Sequence, residues 1–204
     1  TRLLPFVMID GPSDEKTSSI YIAEEEAAYT QMKIALDYGH RKIAIIGLAS
    51  ATFAIDEVSE SVSAKRMQGY HRALREQGLD FTNVTTMVSE CSLEDGRQAG
   101  RSILALPSLP TCVVTMSDIV AIGCITAFRE AGISVPDQIS VVGFDNIEEA
   151  STITPALTTI DQPATEKGRM GAKVLFSMID GTEEEPVHHL IEHRLIVRDS
   201  LAPR

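Results

Sequence analysis

The sequence has no tryptophan, and aromatic residues make up only 5% of its 204 residues. A binding site built mainly on stacked rings is therefore not expected, because stacking against an apolar ligand face requires such side chains. Apolar runs are also short, and none approaches the roughly 20 residues that a membrane span requires. The sequence thus predicts no membrane partner.

Cysteine is scarce as well: Cys91, Cys112 and Cys124 are an odd number without a CxxC pair. This pattern favours reduced thiols packed inside a cytosolic protein over a disulfide framework. The first residues, TRLLPFVMID, lack the basic start, long apolar middle and small-residue cleavage site of a secretory signal. We therefore expect a cytoplasmic protein. Because no initiator methionine is present, we also expect a truncated chain.

Positive charge is in deficit, with a formal net charge of −11 and a pI near 4.9. Autonomous binding to a polyanion requires a concentrated basic face, and no such face is visible in the sequence. Hydrophobic residues make up 44% of the chain and charged residues 23%, values typical of a soluble globular protein. The length suffices for one large or two modest domains with a proper core.

Short apolar runs alternate with longer helical patterns, which indicates an α/β fold with parallel strands and crossover helices. The predicted strands are 5–9, 42–46, 84–88, 111–115 and 139–144, with a later extended run at 191–197. The predicted helices are 24–38, 63–77, 93–105, 118–131 and 163–180. Four glycines follow helical stretches at positions suited to left-handed helix ends: Gly39, Gly78, Gly132 and Gly181.

Three predicted strands end in acidic or hydroxyl residues: PFVMI in Asp10, TCVVTM in Ser117 and Asp118, and ISVVGF in Asp145. Ligands of open α/β sheets bind outside the carboxyl ends of the strands, so these residues are candidates for a ligand cleft. The alternative is that each acid is a turn or helix-capping residue. Asp118, which directly precedes the apolar helix IVAIGCITAF, is the clearest capping candidate.

Four segments, at 37–47, 63–78, 114–146 and 155–175, are similar in order and spacing to the effector-binding domain of LacI/GalR bacterial transcriptional regulators. They include DYGHRKIAIIG, SAKRMQGY, SVVGFDN and PALTTIDQ. The resemblance implies a two-lobe fold like that of periplasmic binding proteins, with a parallel sheet flanked by helices in each lobe. A small-molecule effector would bind between the lobes, and the domain would form a homodimer.

The same resemblance implies a division of the chain. Residues 1–28 and 162–189 would belong to an incomplete N-terminal lobe, and residues 29–161 and 190–204 to the C-terminal lobe. The helix-turn-helix headpiece of the family has no counterpart in this sequence. We therefore expect operator DNA to be bound only through that absent headpiece, a separate basic domain in the family.

Residue roles also follow from the resemblance. Arg66 matches the arginine that reaches into the cleft, and Asp145 matches an acceptor for ligand hydroxyls. Asp118 and Ser117 stand where the family usually has Asn-Asp, and Gln162 matches a polar ligand neighbour. The alternatives are a solvated basic helix face for Arg66 and a strand stop for Gln162.

Two further residues complete the predicted site. Asp10 could close over the ligand from the other lobe. Cys91 stands where some sugar-binding members have an aromatic ring. We therefore expect a small polar ligand, such as a monosaccharide, a sugar alcohol or a sugar acid.

Other functions receive less support from the sequence. His188, His189 and His193 suggest a metal site, but the run LIEHRLIV alternates like a strand, in which residues four apart are too distant to share an ion. No dinucleotide, Walker A or GxSxG motif is present, so neither a cofactor nor enzymatic activity is expected. The main alternative is the sugar-binding protein of an ABC transporter, which shares the fold, and the third is a sugar-modifying enzyme.

Overall fold

The computed structural model describes residues 4–11, 15–48, 61–183 and 185–204. Its strands form two sheets. The three-stranded sheet has the order β1-β2-β8 and contains Met8–Ile9, Ser19–Tyr21 and His188–Leu190. The six-stranded sheet has the order β4-β3-β5-β6-β7-β9. Its members are β3 Ile43–Leu48, β4 Thr85–Ser89, β5 Cys112–Thr115, β6 Ser140–Asp145, β7 Thr158–Asp161 and β9 Arg194–Ile196.

In the part of the chain that the structure describes, six α-helices connect or flank the strands. They are α1 Glu24–Asp37, α2 Val62–Glu76, α3 Leu93–Leu104, α4 Asp118–Glu130, α5 Glu148–Thr152 and α6 Ala164–Ile179. Within the described ranges no helix is long and apolar enough to cross a membrane. The five helices predicted from apolar periodicity all exist, and each bound differs from the prediction by no more than one residue.

The central strands of the large sheet read as unbroken apolar runs because helices cover both of their faces. Every residue of β5 is buried, as are the first five of β6. All strand pairs of both sheets are parallel except β7 and β9. The α/β fold class is therefore confirmed. The extended run predicted at 191–197 contains β9, but the sequence did not predict its antiparallel pairing with β7.

Hydrophobic packing joins the two sheets. One buried cluster contains Ile20 of the small sheet together with Phe144 and Ile160 of the large sheet. Val174 of α6 belongs to the same cluster. The carboxyl ends of β6 and β7 therefore lie beside the small sheet.

Helix ends follow the predicted chemistry in most cases. The four C-terminal glycines all have positive φ, between 67° and 90°, where a side chain would be strained. The capping prediction for Asp118 is wrong. Ser117 occupies the N-cap position of α4 without a side-chain capping bond, and Asp118 is the first helical residue.

Candidate functional site

Three adjacent strands of the large sheet deliver polar side chains to one edge. Ser117 follows β5, Asp145 ends β6, and Gln162 follows β7. Because β5, β6 and β7 are parallel neighbours, their carboxyl ends meet at the same edge. The structure thus brings together three residues that the sequence assigned to one cleft.

Asp145 is the centre of this group. Its Oδ2 accepts hydrogen bonds from Ser117 Oγ at 2.9 Å and from the Asp118 backbone N–H at 3.4 Å. Its Oδ1 accepts from Gln162 Nε2. Burial raises the pKa of Asp145, and the charge of Arg66 and these hydrogen bonds oppose that rise. The carboxylate is therefore surrounded by donors yet costly to ionise.

The backbone at this edge is unusual. Asp145 has a φ of 125° and Asn146 a φ of 57°, while Asp10 at the end of β1 has a φ of 51°. Residues other than glycine seldom adopt this region, and such conformations concentrate at ligand sites where the surroundings enforce them. Asp145 and Asn146 lie at the end of β6 in the large sheet, whereas Asp10 follows β1 in the small sheet.

A chain of hydrogen bonds connects the two sheets through Lys167. Its Nζ donates to Gln162 Oε1 at 2.7 Å and forms an ion pair with Asp10 Oδ2. Only 3% of the Lys167 side chain is exposed. Asp10 thus belongs to the network that contains Asp145, although its partner is a lysine of α6.

Arg66 lies on α2 and is buried, with 4% of its surface exposed. Its Nε donates to Glu24 Oε2 at 2.7 Å, and its Nη1 donates to the Met116 carbonyl at 2.7 Å. The guanidinium carbon lies 3.6 Å from the centre of the Phe144 ring, a cation–π contact. The alternative of a solvated basic face is therefore wrong for Arg66.

Asp118 is fully buried and its two carboxylate oxygens already have protein donors. Thr159 Oγ1 donates to Oδ1 at 2.6 Å, and the Ile147 backbone N–H donates to Oδ2 at 3.0 Å. Burial raises the pKa of Asp118 to about 6. Asp118 joins β7 to the loop after β6, which is a structural role in this conformation.

Cys91 lies at the border of the network and is exposed. Its Sγ donates to Ser117 Oγ at 3.4 Å, a distance within reach for sulfur. Because Ser117 in turn donates to Asp145, the thiol is connected to the central carboxylate through one hydroxyl.

A cavity of about 780 Å³ opens at the ends of β6 and β7. Asp145, Asp161 and Gln162 line one part of it, and Glu166 and Arg169 of α6 line another. This volume is within the range of small-molecule sites, roughly 300 to 1,000 Å³. The polar network therefore borders a space large enough for a monosaccharide.

Sequence reasoning missed two residues of the network, Glu24 and Lys167. Glu24 opens α1 in a run of three glutamates that resembles a solvated helix start. Lys167 lies one turn inside α6, on a helix of mixed composition. No local pattern distinguishes either residue from exposed neighbours of the same type, since only the fold buries them.

The histidines have structural contacts. His40 is buried between Thr111 Oγ1 and the Ala202 carbonyl, and burial lowers its pKa. His188 Nδ1 lies 2.8 Å from Ser19 Oγ. Among the described residues, no three His, Cys, Asp or Glu side chains cluster as metal ligands.

Solved structures that are similar to this chain include bacterial transcriptional regulators. A LacI family regulator from Enterococcus faecium with bound ribose has a TM-score of 0.87 and 27% identity, covering 98% of this chain and 71% of that one. The regulator CelR in complex with cellobiose has a TM-score of 0.82 and 29% identity, covering 96% and 58%. The fold is that of a periplasmic-binding-protein-like domain.

The family model described as "periplasmic binding protein-like domain" matches residues 34–201, and the chain belongs to this family. Among curated proteins, the HTH-type transcriptional repressor PurR of Pasteurella multocida is 33% identical over 202 residues, covering 98% of this chain. The match covers 58% of that repressor, so the chain spans little more than half the length of this relative. The resemblance to LacI-type regulators is therefore confirmed.

Proposed function

We propose that the chain is the effector-sensing part of a LacI-type transcriptional regulator. A small polar ligand would bind in the 780 Å³ cavity and contact Asp145 and Gln162. The observation that carries the proposal is the continuous hydrogen-bond network from Asp10 through Lys167 and Gln162 to Asp145. This network spans both sheets, so a ligand bound beside it can favour one arrangement of the sheets over another.

The two sheets support a division into lobes. β1, β2 and β8 would belong to one lobe, and β3 to β7 with β9 to the other. Three chain crossings connect them, after Tyr21, after Asp161 and after Leu190. Helix α1 is continuous from Glu24, which favours a first crossing at 22–23 over the boundary after residue 28.

Coupling to DNA would follow from lobe movement. The relatives are named as repressors with a helix-turn-helix region, and a comparable region outside this chain would contact the operator. Ligand binding typically changes such coupled affinities by about 1 to 3 kcal/mol, reciprocally for ligand and DNA. This function would require a dimer and a cytoplasmic location. The similarity to repressors favours a regulator over a transporter binding protein or an enzyme.

The ligand class is proposed from chemistry. Carboxylate and amide side chains at a strand edge bind hydroxyl groups, and two solved neighbours contain ribose or cellobiose. A monosaccharide fits the cavity and requires no tryptophan platform, provided that hydrogen bonds supply most of its affinity.

A thermal-shift screen tests this function. The panel comprises pentoses, hexoses, cellobiose, sugar alcohols and purine bases, each added to the purified protein. A ligand at 100 times its dissociation constant stabilises the fold by about 2.7 kcal/mol. We expect a carbohydrate to give the largest shift. Stabilisation by purines alone, or by no compound, would contradict the proposed ligand class.

A further inference from the structure

The positive charge of Arg66 is already compensated inside the protein. Its ion pair with Glu24 is 2.7 Å long, and both side chains are only 5% exposed. Its Nη1 is occupied by the Met116 carbonyl. A buried arginine that would attract an anionic ligand is thus matched by a carboxylate of equal burial.

The second buried cation of the network, Lys167, is compensated in the same way by Asp10. Asp145, by contrast, has only uncharged donors among the described residues, namely Ser117, Gln162 and the Asp118 backbone. Two cations therefore face three carboxylates in this network, and the cavity lining adds Asp161, Glu166 and Arg169, so carboxylates remain in excess. This excess of carboxylates disfavours the binding of a negatively charged ligand.

Two carboxylate oxygens of the network still lack donors. Asp10 Oδ1 and Glu24 Oε1 are buried and have no hydrogen-bond partner within the described part of the chain. A buried acceptor without a donor is costly, so a bound molecule that supplies O–H groups would satisfy them. A phosphate or carboxylate group would add acceptors instead.

We infer that Glu24 is a charge-selecting residue, so that the cleft binds uncharged polyhydroxylated molecules and rejects their phosphorylated or carboxylate forms. The inference rests on the proposed ligand site and narrows its chemistry. Sugar acids, which the sequence left open, are excluded by it. Arg66 is close enough for its charge to act on Asp145, which lines the cavity, and the role of Glu24 would be to cancel the attraction of Arg66 for anions.

The test uses inorganic phosphate as the probe, with the Glu24→Gln variant. Glutamine can still accept from Arg66 Nε but leaves the guanidinium charge uncompensated. We expect phosphate to bind the variant on the order of tenfold or more tightly than it binds the wild type. Binding is measured by thermal shift against chloride at equal ionic strength. The matched control is Glu25→Gln, the next residue, whose carboxylate pairs with the partly exposed Arg72.

Three possible results of this experiment test whether Glu24 selects against anions. Phosphate binding that increases in Glu24→Gln, stays at the wild-type level in Glu25→Gln, and is lost again in Glu24→Gln/Arg66→Gln supports the inference. Equal responses of Glu24→Gln and Glu25→Gln overturn it. If Glu24→Gln gains phosphate binding although no sugar binds the wild type, charge selection stands and the proposed carbohydrate ligand falls.

A second measurement is independent of how the variants fold. The wild-type protein is titrated by calorimetry with glucose against gluconate, and with ribose against ribose 5-phosphate. We expect the neutral member of any pair that binds to be preferred by about tenfold or more. Tighter binding of either anion would overturn the inference.

Discussion

Replacing Asp118 by asparagine should stabilise the protein at alkaline pH. The native carboxyl has a pKa of about 6 because burial disfavours its charged form, against 3.8 for an unperturbed aspartate. A raised native pKa contributes stability that is fully present below pH 3.8 and is lost as the pH rises through 6. At pH 8 the ionised group therefore costs about 3 kcal/mol relative to its protonated form.

Asparagine removes the titration and keeps most of the contacts. Its carbonyl can accept from the Ile147 N–H, and its amide can donate to Thr159 Oγ1 in place of the present reversed bond. Both hydrogen bonds become weaker because their partner is no longer charged, which offsets part of the gain by about 1 kcal/mol each. We expect Asp118→Asn to be more stable than the wild type by about 1 kcal/mol at pH 8.

The pH dependence is the sharper measurement. Urea unfolding of both proteins at pH 4.5 and pH 8 gives two free-energy differences, and the advantage of Asp118→Asn should grow by about 2 kcal/mol between them. The control is Asp80→Asn, because Asp80 is exposed and its pKa is lowered by the Thr82 backbone N–H. Asp80→Asn should give no stabilisation at pH 8. A pH-independent effect of Asp118→Asn would refute the reasoning.

Two further predictions concern stability, both measured by urea unfolding. A Cβ on Gly96 would lie 2.5 Å from the Val120 carbonyl oxygen, whereas one on Gly168 meets nothing within 4 Å. Gly96→Ala should therefore destabilise the protein by about 1 to 3 kcal/mol. Gly168→Ala should stabilise it by about 0.5 to 1 kcal/mol. A change of the unfolding free energy in the same direction for both variants would contradict this packing. Arg66→Met should cost about 3 to 5 kcal/mol by leaving the Glu24 carboxylate unpaired, and adding Glu24→Leu should restore part of it; additive losses would show that the pair is not coupled.

Much of the fold could be predicted because its signals are local. Apolar periodicity and the four C-terminal glycines located the helices, and the unbroken apolar runs located β5 and β6. The short strands β2, β7 and β8 were not predicted, since a strand of three or four residues has too little periodicity to detect. The antiparallel pairing of β9 with β7 is determined by the tertiary structure, and no local sequence pattern indicates it.

The site was predictable only in part. Asp145 and Ser117 share an edge because parallel strands end together, so the predicted strands already suggested their proximity. Gln162 was assigned to the cleft only by the family resemblance, since β7 was not among the predicted strands. The ion pair of Arg66 with Glu24 joins residues 42 positions apart, and that of Lys167 with Asp10 spans 157. Such contacts depend on how α1, α2 and α6 pack on the sheets, and residue type alone does not reveal them.

The central claim is that Asp145 binds a ligand at the edge of the large sheet. The most direct measurement is calorimetric titration of the best carbohydrate from the screen into the wild type and into Asp145→Asn, with Asp80→Asn as the control. Asparagine loses the charged acceptor, so we predict a loss of affinity of about 10- to 100-fold for Asp145→Asn alone. Unchanged affinity in Asp145→Asn would contradict the account.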